Sequence, residues 1–410
     1  MASTNNSTVT NDSNEIKVLK LTDENGVIYI TDEIDLGGNV CNLPYKSKLV
    51  FKGGIIKNGI LTGNLTSIES TGVAFDRVTI KGSWDVPLIS TKLFANLNYY
   101  NSLCDVIALA NPNIKNKIII EKGDYYLKAV NEAESCIELC DNTDLFLEGS
   151  IHLLPNSLEH YNILLASGNN ISVDGNGTIA GDRPKHLGIK GEWGMGINIY
   201  KGHNVSINNI TIRDCWGDCI YVGGKSTSVS ISNCHINNGR RQGISVTDAV
   251  DVVIKDCIIL NVSGTNPQYA LDLEPNKNCK VDNVLIKNVK VKDCRGGISA
   301  FSNGQDGQFI GTVSIIGCSI SVIDRRPIRL DYCKKGVVNN NLIYVRNNNS
   351  SIRANKVDSL IINDNIIVYD NNTRANLNTK KKKLYGSNSH IEIIEDSKSI
   401  ISGNSIIVRN

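Results

Sequence analysis

The sequence predicts an all-β chain wound into a right-handed parallel β-helix, on three observations. Its middle repeats one short strand at a spacing of 23 to 30 residues, from Ile197 to Ile220, Ile244, Leu271, Ile298 and Ile328. Asn, Asp or Gly stands at a corner of each repeat, where left-handed backbone angles are tolerated. No 3.6-residue apolar period lies between the strands, which excludes βαβ units. A recurring period of this length marks a solenoid, in which each coil buries its apolar face only by stacking on the next.

The elements follow in chain order. Residues 1–15, MASTNNSTVTNDSNE, are polar and are expected to be disordered. They lack the apolar stretch of a signal peptide, so either a signal has been removed or the protein folds in a cytoplasm. Residues 16–95 read as a β-rich lead-in: VIYITDEIDL, SKLVFKGGIIKNGILTGN, DRVTIKGSW. The stretch 90–111, STKLFANLNYYNSLCDVIALAN, is the best candidate for a short helix, and KIIIEKGDYYLKA returns to strand. The β-helix is assigned to residues 96–410, with about ten coils. Its first strands are NNISVDGNGTIAG, HNVSINNITIRDC, TSVSISNCHINN, VDVVIKDCIILNV, VDNVLIKNVKVKDC and IGTVSIIGCSISVI. A second short strand follows each: GMGINIY, GDCIYVG, QGISVTD, YALDLEP, GGISAFS, PIRLDYC. The alternation within both sets is that of half-buried strands. The run Lys380–Lys383 belongs to a solvated loop in a long insertion.

Composition narrows the partners. A net charge of +2 supplies no field for nucleic acid or a membrane surface, and no 18-residue apolar run is present to span a bilayer. Twelve cysteines form no CxxC pair, and Cys215, Cys234, Cys257, Cys294 and Cys318 recur at one place in the repeat. They are expected to be free, buried thiols in an inward ladder. Without regularly spaced histidine partners they make no zinc site, and neither a metal nor another cofactor is expected.

On these residues the coils resemble the pectin-lyase-like superfamily of polysaccharide-active β-helices. The pair GDCIYVGG…RRQGISV is similar to the polygalacturonase pattern of a DD-containing strand followed one coil later by a GHG-containing strand. Asp218 matches the second Asp, while Gly217 replaces the first and Gln242 replaces the His. The segments RRQGIS and LDLEPN look like a broad group of glycan-active β-helices. FKGGIIKNGILTG…FDRVTIKGSWDVPLISTKLF resembles the front part of tail-spike or tail-fibre proteins of phages of gut bacteria. The resemblance implies a polysaccharide partner, a homotrimer and a place in the virion tail; the alternative is a secreted or cell-surface bacterial protein.

Aligning the second strands on their inward residues gives outward columns. One holds Met195, Asp218, Gln242, Tyr269, Gly296 and Arg326; the next Asn198, Tyr221, Ser245, Asp272, Ser299 and Arg329; the third Tyr200, Gly223, Thr247, Glu274, Phe301 and Asp331. Asp218, Arg240, Arg241, Tyr269, Asp272, Glu274, Arg329 and Asp331 therefore share one face. Glycoside hydrolysis needs a protonated and an ionised carboxyl. Asp272 is expected to be the general acid and Asp218 the base, with Glu274 an alternate for either. Arg240 and Arg241 are expected to hold substrate carboxylates or hydroxyls. A lyase is the enzymatic rival, with Arg241, Arg326 or Arg329 neutralising a uronate and Tyr221 or Tyr269 nearby. A non-catalytic carbohydrate-binding spike uses the same groove. Trp193 and Trp216 stand at corners opening the groove strands, placed either to stack on sugar or to plug the corner. His203 and His235 are read as structural. The bland reading of the whole face is cross-coil ion pairing; a site at the loop 181–193 or between subunits is then the remaining possibility.

Overall fold

The computed structural model describes residues 25–346, 349–370, 383–385, 391–395 and 398–409. The expected disorder of residues 1–15 and the lysines at 380–382 lie outside them. Described residues up to Glu121 form one compact unit and those from Lys122 a second.

The first unit is a six-stranded sheet built around one 15-residue strand, Ile55–Glu69. Four shorter strands pair in parallel with successive parts of it: Glu33–Asp35, Val40–Asn42, Lys48–Phe51 and Phe75–Trp84. Phe75, which opens the strand Phe75–Trp84, packs its ring against both Phe51 and Phe94. The helical signal at 90–111 resolves into a 3₁₀ turn, Thr91–Leu93, and a six-residue α-helix, Ser102–Ile107. Asn96, Asn98, Asn101 and Asn111 crowd this stretch and favour turns over a longer helix.

The second unit is the β-helix. Each coil contributes one strand to each of three sheets, parallel throughout except that Lys383–Tyr385, which begins at the last lysine of the run expected in a loop, pairs antiparallel at the edge of one of them. The sheet that carries the outward columns contains β1 (Ser135–Leu139), β2 (His160–Ala166), β3 (Trp193–Tyr200), β4 (Ile220–Gly223), β5 (Ile244–Val246), β6 (Tyr269–Leu273), β7 (Gly296–Phe301), β8 (Ile328–Asp331), β9 (Ile352–Asn355) and β10 (Ile391–Ile394). Ile197, Ile220, Ile244, Leu271, Ile298 and Ile328 are mutual partners across it, as the repeat spacing required. All six are fully buried. The period-2 alternation then fixes which residues face outward.

The corners explain the Asn and Asp punctuation. Counting the outward-column strand of each coil as its first, Asn209, Asn233, Asp256, Asn288, Asn340 and Asp364 all hold positive φ where the second strand turns into the third. A second corner, after the third strand, does the same with Asp214, Asn238, Asn261 and Asp293. The cysteines therefore form two ladders. Cys234, Cys257 and Cys318 follow the first corner, whereas Cys215 and Cys294 follow the second. The expected single ladder divides because both corners place an inward small residue directly after a left-handed Asn, Asp or Gly. All twelve thiols are free. Towards the C-terminus the first ladder changes from thiol to amide. Asn341 donates to Asn365 at 2.9 Å and Asn365 to Asn404 at 2.8 Å, so each inward amide is met by the next coil.

Candidate functional site: an acid cluster on the outward face

Register assembles the face. Asn198, Tyr221, Ser245, Asp272, Ser299 and Arg329 stand opposite one another in successive coils, and Tyr269 stands opposite Gly296. Small residues make the floor. A Cβ on Gly296 would come within 2.4 Å of the Tyr269 ring, so the glycine lets that ring lie flat over the next coil.

At the centre are three carboxylates in unlike environments. Asp218 is fully buried. Arg241 Nη1 donates to its Oδ1 at 3.3 Å and Oδ2 at 3.0 Å, and Ser245 Oγ donates to Oδ2 at 2.5 Å. Burial pushes the Asp218 carboxyl up, and the opposing pull of Arg241 and Ser245 does not cancel it. The arginine beside Asp218 thus lowers its pKa less than complete desolvation raises it. Asp272 is 3 % exposed and sits one coil beyond Ser245. Gln242 Nε2 donates to its Oδ2 at 2.6 Å, while Gln242 Oε1 accepts from the Tyr269 backbone N–H at 2.8 Å. The second bond fixes the amide so that its NH₂ faces the acid. Burial, reinforced by the charge of Glu274, pushes Asp272 up to about 8. Glu274 lies two residues on along the strand direction and is partly exposed.

The two arginines of the GRRQGISV stretch have different tasks. Arg241 reaches into the floor, pairing with Asp218 at 3.0 Å and lying 3.4 Å from Glu192. Arg240 faces the loop 181–193. Its guanidinium lies 3.8 Å from the Trp216 ring centroid and donates to the carbonyls of Gly191 at 2.6 Å and Trp216 at 3.3 Å. Trp216 stacks in turn on His186 at 3.9 Å, and its indole N–H donates to the Lys190 carbonyl. Asp182 anchors the far end, accepting from Tyr161 Oη at 2.7 Å and lying 2.8 Å from His186 Nδ1. Both faces of Trp216 are therefore occupied, and Arg240 and Trp216 pin the loop rather than standing open to a ligand.

Trp193, at the end of that loop, is different: it is 50 % exposed. It lines a cleft of about 540 Å³ together with Glu138, His160, Met195, Tyr200 and Tyr221. The outward columns extend this cleft N-terminally from the residues singled out in the sequence, and Glu138 and His160 went unnoticed there. Their signal lay in strands before the repeat became regular. Tyr221 is half-buried at the cleft's inner end, where its hydroxyl accepts from Thr247 at 2.7 Å. At the opposite end, Arg329 pairs with Asp331 at 2.7 Å and Arg326 lies 3.8 Å from Glu392. Tyr269 is buried among arginines and presents little surface. His203 and His235 lie on the other two sheets. Among the described residues no group of three or more His, Cys, Asp or Glu is arranged to hold a metal ion. No described helix is long and apolar enough to cross a membrane.

Comparison with known proteins agrees with this architecture. The family described as "Right handed beta helix region" matches residues 151–311. An SPbeta prophage-derived uncharacterized protein, YorA, of Bacillus subtilis (strain 168) is 26% identical over 272 residues, 57% of this chain and 44% of that protein. The uncharacterized protein YclG of the same organism is 32% identical over 161 residues, 33% of this chain and 27% of YclG. The matched region thus spans less than half the length of either relative. Among solved structures, a mutant of the tailspike protein of E. coli bacteriophage HK620 in complex with pentasaccharide superimposes with a TM-score of 0.52 at 14% identity, covering 77% of this chain and 62% of that one. The A-module of the Azotobacter vinelandii mannuronan C-5 epimerase AlgE6 does so with a TM-score of 0.52 at 12% identity, covering 75% and 95%. Similarity at that level reports fold. By its coils, its three parallel sheets and these likenesses, the chain is a right-handed parallel β-helix protein.

Proposed function

We propose that this β-helix is a polysaccharide depolymerase, with the outward face of β3–β8 as its glycan groove and Asp272 as its general acid. The observation that carries the reading is the environment of Asp272. It is a carboxyl pushed up to about 8 by burial and by Glu274, on the face that opens beside an aromatic cleft. Such an acid keeps its proton at neutral pH and is able to give it to a leaving glycosidic oxygen. The second carboxyl must meet water. Asp218 is sealed by Arg241 and Ser245, whereas Glu274 is partly exposed. Glu274 therefore serves better as base, and Asp218 with Arg241 as the buried support beneath it. Glu274 follows β6 two residues after Asp272, near enough for its charge to act on the Asp272 carboxyl, as a working pair of an acid and a base requires. Exposed Trp193 and Tyr200 supply faces on which sugar rings stack.

The tailspike likeness and the prophage-derived relative support a role at a bacterial surface, as part of a homotrimeric phage spike. Incubation of the purified protein with bacterial surface polysaccharides tests the reaction. New reducing ends without unsaturated uronate are expected of the hydrolase. Unsaturated uronate instead identifies a lyase, and binding with neither product identifies a receptor spike.

A further inference from the structure

The groove has unlike ends. Its β1–β4 end is the cleft of Trp193, Tyr200 and Tyr221. Beyond Asp272 and Ser299 the same column continues as Arg329, Arg353 and Glu392. Arg326, at the mouth of β8, joins this group. Three guanidiniums meet two carboxylates there. Arg329 lies 2.7 Å from Asp331 Oδ2, Arg353 lies 3.3 Å from its Oδ1, and Arg326 lies 3.8 Å from Glu392 Oε2. Ser350 donates to that same Glu392 oxygen at 2.9 Å.

The depth of the charges matters as much as their number. The side chains of Asp331 and Glu392 are 2% and 1% exposed, whereas those of Arg326, Arg329 and Arg353 are 27%, 24% and 23% exposed. The acids lie underneath and hold the arginines from below; only the cations reach the groove. Burial is the main influence disfavouring the charge of Arg326, and repulsion by Arg353 and, less, Arg329 adds to it, with Glu392 opposing. An anion seated on top supplies the missing charge and relieves the repulsion. The planar forks suit a carboxylate or another oxyanion on a sugar. The aromatic end has no comparable cationic group among its lining residues; rings there favour the apolar face of an uncharged sugar.

We infer that the groove takes an acidic heteropolysaccharide, its anionic sugar on Arg326, Arg329 and Arg353 and its neutral sugars on the cleft of Trp193 and Tyr200, with Asp272 between them. This rests on the reading of the face as a glycan site and adds the class and direction of the glycan.

The test is an array of acidic bacterial heteropolysaccharides, each printed beside the same polymer with its carboxyls reduced to alcohols, together with polygalacturonate as a uniform polyanion. The protein is expected to bind acidic heteropolymers and to lose ~10- to 100-fold in affinity on the reduced forms, the range for a charge-assisted hydrogen bond. Arg326→Gln and Arg353→Gln are expected to lose a similar factor on the acidic forms alone. Binding should weaken with salt. The comparison of polymer forms uses the unaltered protein, so a variant that fails to fold does not blunt it. Equal binding to acidic and reduced forms, or binding to no acidic polymer, overturns the inference. Polygalacturonate binding as tightly as the best heteropolymer overturns the neutral assignment of the aromatic end. Binding of acidic polymers without any cleavage product defeats the catalytic reading and leaves this one standing. Cleavage of the reduced polymer as fast as the acidic one defeats this one alone.

Discussion

Replacing Asp272 by Asn separates what this residue costs the fold from what it gives the reaction. In the unfolded chain its carboxyl releases a proton near 3.8, and in the folded protein near 8. Between those values the folded state holds a proton that the unfolded state has lost. Its contribution to stability is thus complete below about pH 4, falls as pH rises towards about 8, and is flat beyond. At about 1.4 kcal/mol for each pH unit of that window, the loss is on the order of 6 kcal/mol. Asn keeps the shape and the bond from Gln242 without the ionisation. The Asp272→Asn protein should therefore melt higher than wild type at pH 8, and the two melting temperatures should converge towards pH 4. Its cleavage rate should fall by ~10²- to 10⁴-fold, the usual worth of general acid–base help. Wild-type activity should decline as pH rises through about 8, as the acid loses its proton. Thermal melts by circular dichroism across this range, with reducing-end assays alongside, are the measurements. Equal pH dependence of melting in the two proteins refutes the buried, protonated acid.

Other consequences follow from named contacts. Arg241→Ala removes the cation from a fully buried Asp218 and should cost ~3–5 kcal/mol, read as a lowered denaturation midpoint, whereas an exposed ion pair would cost ~0–1 kcal/mol. Ile244→Asp places a charge in the inward ladder and should leave the chain unfolded or aggregated; an unchanged melting temperature would mean the residue faces outward. Trp193→Ala should weaken glycan binding with little change in melting, and Trp216→Ala should lower the melting temperature because its ring sits between Arg240 and His186. Titration of the unfolded protein with a thiol reagent should find all twelve cysteines free.

Much of this was legible in the sequence because a solenoid turns sequence period into spatial register. Once Ile220, Ile244, Leu271 and Ile298 are aligned, period-2 alternation places Tyr221, Ser245, Asp272 and Ser299 outward with no knowledge of the coils between. The clustering of acids and arginines on one face followed from that alone. What register does not specify is depth. Asp218 and Asp272 read alike in sequence, but Arg241 and Ser245 close over the first while Gln242 braces the second. Nor does register reach irregular loops. Arg240 and Trp216 looked available because their partners, His186, Asp182 and Tyr161, come from a preceding loop and coil, brought into place only by tertiary packing. The cysteines show the converse limit. Two corners carry the same Asn-Cys or Asp-Cys signal, so a single ladder was the simplest reading until the third strand of each coil separated them.

The most direct test of the account is a structure of the Asp272→Asn protein with an uncleaved acidic oligosaccharide. The account predicts a chain of sugars running across β3–β9, with a glycosidic oxygen within hydrogen-bond distance of the side chain at 272, a ring against Trp193 and an anionic group on Arg329 and Arg353. An oligosaccharide bound away from this sheet, or one crossing it with no glycosidic oxygen near residue 272, would contradict it.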